Sequence, residues 1–105
     1  MKVEILYFFG CPNHPPAVGA VREALQQEGM SADLVEVEVN DAATARGIGF
    51  LGSPTIRING QDVERSARTA QAFGLSCRTY THRGHRAGVP PLEWIRTALR
   101  EAKEN

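Results

Sequence analysis

Apolar residues fall in short runs whose period changes along the chain. Residues 3–9 are apolar or aromatic except for Glu4, the pattern of a strand buried on both faces in the middle of a sheet. Residues 10–16 read as a loop. Val18, Val21 and Leu25 then recur at helical spacing, with Ala17 and Ala24 beside them, and Gly29 is placed to end this helix in the left-handed conformation. Leu34, Val35, Val37 and Val39 predict a second strand, with Glu36 and Glu38 turned outward. Asn40 or Asp41 can cap a short helix that Gly47 and Gly49 break. Ile56 and Ile58 alternate with Arg57 ahead of Asn59-Gly60, a strong signal for a tight hairpin. Residues 55–58 and 61–64 are therefore expected to pair antiparallel. Residues 65–91 show no clean period, and 69–73 predict at most a helical turn. Pro90-Pro91 opens a last helix with Leu92, Ile95 and Leu99 on its buried face and Trp94, Ala98 and Ala102 nearby. Pro91 sits where a missing N–H does no harm.

Two strands joined by a helix imply a right-handed parallel crossover. The later hairpin adds antiparallel strands. The expected fold is α/β, a mixed four-stranded sheet with helices on both faces. The 105 residues suffice for one domain, residues 1–105, and are too few for two. Phe8, Phe9, Phe50, Phe73 and Trp94 are expected in the core and not as a base-stacking platform.

Charge changes this picture only through its distribution. Lys+Arg and Asp+Glu both total 12, so net charge suggests neither a nucleic-acid nor a membrane partner. Between Arg65 and Leu92 there is no acidic residue, but there are Arg68, Arg78, His82, Arg83, His85 and Arg86. Such a tract is a solvated surface or a positive field that attracts an anionic substrate and favours a thiolate. Two cysteines do not make a disulfide-rich secreted scaffold. The apolar start is too short for a signal peptide and carries Glu4. The expected location is cytoplasmic, with reduced thiols.

Candidate chemistry centres on "LYFFGCPNHPP", residues 6–16. Cys11 lies between the first strand and the first helix. A thiol there is either an inert small hydrophobe or a nucleophile, and a thiolate at neutral pH needs nearby positive charge or N–H donors. The helix is a weak source of donors here. Pro15 and Pro16 lack N–H groups, and His14 precedes a proline, so the regular helix is expected to begin near residue 15 or 16. His14 can supply charge or pass a proton to a leaving thiolate, or it can simply cap the helix or face water. Cys77, in "FGLSCRTY", has three readings: it resolves an oxidised Cys11, shares a soft metal ion with it, or is inert. Arg78 would favour a Cys77 thiolate if it points the same way. Cys11, His14, Cys77, His82 and His85 are enough donors for zinc, but no paired knuckle spacing supports a constitutive metal site. No phosphate loop, dinucleotide fingerprint or serine elbow is present, and no cofactor is expected.

The element order, with Cys11 after the first strand and Ser53-Pro54-Thr55 before the third, resembles the thioredoxin superfamily. The thioredoxin CxxC is absent, since CPNH supplies one sulfur. "GCPNHPPA", "FLGSPTIRINGQDVE" and "GLSCRTY" are also similar to small bacterial thioredoxin-like proteins. Some of those carry selenocysteine at the position of Cys11, and some are labelled as related to alkylmercury lyases. X–Pro bonds are mostly trans, but the resemblance implies a cis Pro54. There the backbone of the preceding residue, Ser53, would pair with an extended substrate, so Ser53, Pro54 and Thr55 become the expected substrate ledge. The implied activity is thiol–disulfide oxidoreduction with Cys11 as nucleophile, aided by His14, and Cys77 as a distant resolving cysteine. The substrate would be a small thiol or disulfide, or a peptide, with an external thiol as reductant. The alternatives are a mercury- or copper-binding protein that uses both thiols without turnover, and a plain interaction domain.

Overall fold

Val3, Ile5 and Leu6 have essentially no exposed surface, and the strand that carries them lies inside the sheet. In the computed structural model, which describes residues 1–104, β1 (Lys2–Tyr7) is followed by α1 (His14–Glu28), β2 (Asp33–Glu38), α2 (Ala42–Ile48), β3 (Thr55–Ile58) and β4 (Gln61–Asp62). A single 3-10 turn (Arg65–Ala67), β5 (Tyr80–His82), β6 (His85–Ala87) and α3 (Leu92–Glu104) complete the chain. The main sheet runs β2-β1-β3-β4. β1 pairs parallel with β2, from Lys2↔Asp33 to Tyr7↔Glu38, and antiparallel with β3, from Val3↔Ile58 to Leu6↔Thr55. The fold is therefore α/β, with three helices and a mixed four-stranded sheet.

Alternation along β1 separates two cores. Val3 and Ile5 join Ile56 and Ile58 on one face, under Ala17, Val21 and Ala24 of α1 and Ile95, Ala98 and Leu99 of α3. Leu6 faces the other side with Val39, Ala45 of α2 and Phe50. Helices thus cover both faces. Local signals act as the sequence predicts. Gly29 (φ 62°) and Gly49 (φ 69°) end α1 and α2 in the left-handed region. Asp41 caps α2 by accepting from the Thr44 N–H at 2.8 Å. Asn59 and Gly60, both at positive φ, form the two-residue turn of the β3–β4 hairpin.

Three expectations are corrected. Residues 69–73 are not helical; the regular structure of the 65–91 stretch is the 3-10 turn and the separate β5–β6 hairpin. That hairpin turns at Arg83-Gly84, both at positive φ. α1 begins at His14, ahead of both prolines, because a proline in the first turn removes no helical bond. Phe9 is 81% exposed and Phe73 36%, so neither is core. The β2 strand is an edge, and Val35 stays 37% exposed although it is apolar.

The two helices on one face are tied through Glu28. Its carboxylate, in a side chain only 9% exposed, accepts from Arg96 Nε at 2.8 Å and from Arg100 Nε at 2.7 Å. The Arg100 and Arg96 hydrogen bonds lower its pKa from 4.5 to about 2. A carboxylate depressed in the folded state stabilises above its unfolded value, and that contribution disappears as pH falls through the folded one. The window here runs from 4.5 down to about 2. In acid titration followed by thermal melts, Glu28→Gln should be less stable than wild type near neutral pH, and the gap should close across this window.

Candidate active site at the Ser53–Pro54 corner

Cys11 sits in a turn beyond β1. Its N–H donates to the Phe8 carbonyl at 3.2 Å, and its own carbonyl accepts from the His14 N–H at 3.2 Å. The thiol is buried, with 6% of the residue exposed, and is unpaired. The first turn of α1 offers it little. The His14 N–H is engaged, Pro15 and Pro16 have none, and the Ala17 N–H donates to Asn13 O. The Asn13 amide itself fills the space a Cβ on Gly88 would need, so the segment before α3 packs on this loop.

His14 lies across the loop from β2. Its ring stacks on Tyr7, with centroids 3.6 Å apart and planes 5° apart, and its Nε2 is 2.6 Å from Glu36 Oε1. Nε2 is thus engaged by Glu36. Burial, with the charges of Glu38 and Glu36, holds the Tyr7 hydroxyl above its ordinary pKa. Glu36 and Glu38 read in the sequence only as outward residues of a strand. Their alignment with Tyr7 and His14 follows from the parallel β1–β2 register.

Ser53 meets this loop from another part of the chain. The Ser53–Pro54 bond is cis. Ser53 Oγ accepts from the Phe8 N–H at 3.3 Å. Ser53 and Thr55 are fully buried. The backbone groups of Ser53 expected to receive a substrate are occupied by the chain itself. Its N–H donates to Ser76 O at 2.8 Å, and its carbonyl accepts from the Arg78 N–H at 3.0 Å. These two bonds form a parallel bridge, Ser53↔Cys77. Cys77 therefore lies one strand spacing, about 4.8 Å, from Ser53. The fold brings Cys77 to the residue that also touches the Cys11 loop.

Alternation along residues 76–78 sends neighbouring side chains to opposite sides. Cys77 is exposed and Arg78 is buried. Arg78 does not point the same way as Cys77, so the expected support for a Cys77 thiolate is corrected: its charge is used inside. Arg78 Nη1 and Nη2 reach Asp62 Oδ2 and Oδ1 at 2.8 and 3.0 Å. Nη2 also donates to Glu64 at 2.9 Å and Nη1 to Thr55 Oγ1 at 3.0 Å. The guanidinium lies 4.6 Å from the centroid of the Tyr80 ring. Burial alone would disfavour the charge, but the Asp62 hydrogen bonds and the surrounding negative potential outweigh it, so Arg78 stays protonated. The Tyr80 hydroxyl donates to Pro54 O, and burial raises its pKa far above the ordinary value.

Other basic residues of the acid-free tract also find partners. Arg65 and Arg68 pair with Glu101, and His82 lies 2.6 Å from Glu93. Among the described residues, no three His, Cys, Asp or Glu side chains converge to hold a metal, so Cys11, His14, Cys77, His82 and His85 do not form one tetrahedral set. No helix among the described residues is long and apolar enough to cross a membrane.

A family model described as a domain of unknown function, DUF2703, matches residues 14–99. The chain belongs to this family. The matched range of the DUF2703 domain contains His14, Ser53, Pro54, Thr55 and Cys77, and Cys11 stands just ahead of it. No curated protein and no solved structure matches the chain.

Two substitutions test the corner. A Cβ on Gly52 (φ +128°) would fall 3.0 Å from both Arg78 Cβ and Ser76 O. Gly52→Ala should therefore cost roughly 1–3 kcal/mol in urea unfolding. Arg78→Ala leaves Asp62 buried without its partner, a loss of about 3–5 kcal/mol. The double variant Arg78→Met with Asp62→Asn should lose clearly less.

Proposed function

We propose that this chain is a thioredoxin-like thiol–disulfide oxidoreductase in which Cys11 is the nucleophile and Cys77 the resolving thiol. The observation that carries the reading is the Ser53↔Cys77 bridge, because it delivers a distant cysteine to the corner that also contacts the Cys11 loop. The parallel β1–α1–β2 unit, the antiparallel β3 after Ser53–Pro54 and the closing α3 fit the same family resemblance. On this reading the Cys11 thiolate attacks one sulfur of a small disulfide, forms a mixed disulfide and releases one thiolate. Cys77 then attacks the Cys11 sulfur, releases the second thiolate and leaves a Cys11–Cys77 disulfide. The substrate gains two electrons and the protein thiols lose two. An external thiol returns the protein to its reduced state. On this reading His14 holds or passes a proton. Ser53, Pro54 and Thr55 serve as the frame that positions both sulfurs.

A second reading uses the same corner. Two thiols without a third donor suit a soft ion such as Hg(II) or Cu(I), which two sulfurs can bind well. One experiment separates the two. The reduced protein is treated with a small disulfide, and the peptides are mapped by mass. Oxidoreduction predicts a cross-linked Cys11–Cys77 peptide about 2 Da lighter than the two reduced peptides, a stalled mixed disulfide on Cys11 in Cys77→Ser, and no cross-link in Cys11→Ser. A mixed disulfide on each cysteine, with no Cys11–Cys77 cross-link, contradicts resolution by Cys77. Stoichiometric Hg(II) binding that needs both cysteines, without any disulfide turnover, establishes the second reading.

A further inference from the structure

Adding an extended polypeptide beside a strand requires a backbone N–H and C=O that are both unoccupied. At Ser53, the residue expected to receive a substrate backbone, both are engaged. Ser53 has both of its groups bonded to residues 76 and 78. On the Cys11 loop, the Phe8 N–H goes to Ser53 Oγ and the Phe9 N–H to Asn40 Oδ1. The Cys11 N–H goes to Phe8 O, the His14 N–H goes to Cys11 O, and Pro12, Pro15 and Pro16 have no N–H to offer. Residues 76–78 are, moreover, fixed and not merely adjacent. Arg78 anchors them to Asp62 and Glu64 in the interior. Gly52 approaches them so closely that a Cβ would already crowd Ser76 O and Arg78 Cβ. Tyr80, just beyond, is bonded to Pro54 O.

We infer that residues 76–78 are a built-in strap that occupies the polypeptide-binding edge beside Cys11, so that the site takes small electrophiles, such as low-molecular-weight disulfides, and rejects extended polypeptide disulfides. The inference rests on the thiol reading above and names its substrate class. The strap fills the one strand position next to Ser53 with the chain's own backbone. A small disulfide needs only access to sulfur. An extended peptide needs a partner edge, and the strap already holds it.

The test uses the full chain in reduced form and two probes, hydroxyethyl disulfide and the disulfide of a short extended peptide. Loss of the Cys11 thiol is followed by mass spectrometry, and each rate is divided by the rate of the same probe with dithiothreitol, which removes intrinsic reactivity. The expected result is that the peptide disulfide lags the small one by about tenfold or more after this correction, as loss of a paired backbone edge implies. In Arg78→Met with Asp62→Asn, which loosens the strap while leaving no buried carboxylate at position 62, the lag should shrink several-fold. Hydrogen exchange gives a measure that does not depend on thiol chemistry: the amides of Ser53 and Arg78 should be protected like those of β3. Equal corrected rates in the wild type overturn the inference, and so does a lag that the double variant leaves intact. Ser53 and Arg78 amides that exchange like free loop overturn it as well. If neither probe oxidises Cys11 while both amides are protected, the thiol reading itself is wrong, and the substrate class falls with it.

Discussion

The buried guanidinium of Arg78 holds together the end of the sheet where the candidate chemistry lies. A buried charge is stable only when its donors are met. Asp62 accepts in bidentate fashion, while Glu64 and Thr55 take further N–H groups. A lysine has no planar fork and could not satisfy this arrangement. The consequence is positional. Asp62 and Glu64 belong to the β3–β4 hairpin and its exit, so the residue that binds them draws residues 76–78 against Ser53. Gly52 makes the approach sterically feasible, and Tyr80 fastens the next turn of the chain to Pro54.

The same segment has two tasks because a strand alternates. Arg78 faces the interior and Cys77 faces outward, so fixing one side chain presents the other. Opposite the corner, the Cys11 loop is braced by a separate polar set in which His14 stacks on Tyr7 and pairs with Glu36. The loop that carries Cys11 is thus flanked by the His14–Glu36–Tyr7 cluster and, through Ser53, by residues 76–78. The helix N-terminus contributes little, since two prolines and an engaged His14 N–H leave few donors for a thiolate.

Legibility in the sequence tracks the range of the forces involved. The apolar run of β1, the helical spacing of α1 and α3, the Asp41 cap and the Asn59-Gly60 turn are local patterns, and each produces the element it predicts. The β5–β6 hairpin escapes notice because Thr81, His85, Arg86 and Ala87 are exposed and nothing alternates. Its turn also places Arg83, a non-glycine residue, at positive φ. Phe9 reads as core from its neighbours, yet the chain has already left the strand at Tyr7 and turns it outward. Glu36 looks like an ordinary solvent-facing residue until the parallel register sets it beside His14.

From the sequence alone come a mixed four-stranded α/β sheet, a cysteine in the turn after its first strand, and a proline corner ahead of its third. These follow from periodicity and turn chemistry, which act over a few residues. Tertiary structure alone decides that Cys77 reaches that corner, that Arg78 is a buried anchor and not a charge beside the Cys77 side chain, and that the backbone of Ser53 is closed by the chain's own strap. The reason is that each depends on a pairing between residues far apart in sequence, Ser53 with Cys77 and Asp62 with Arg78, and such pairings leave no periodic trace in the residues that make them.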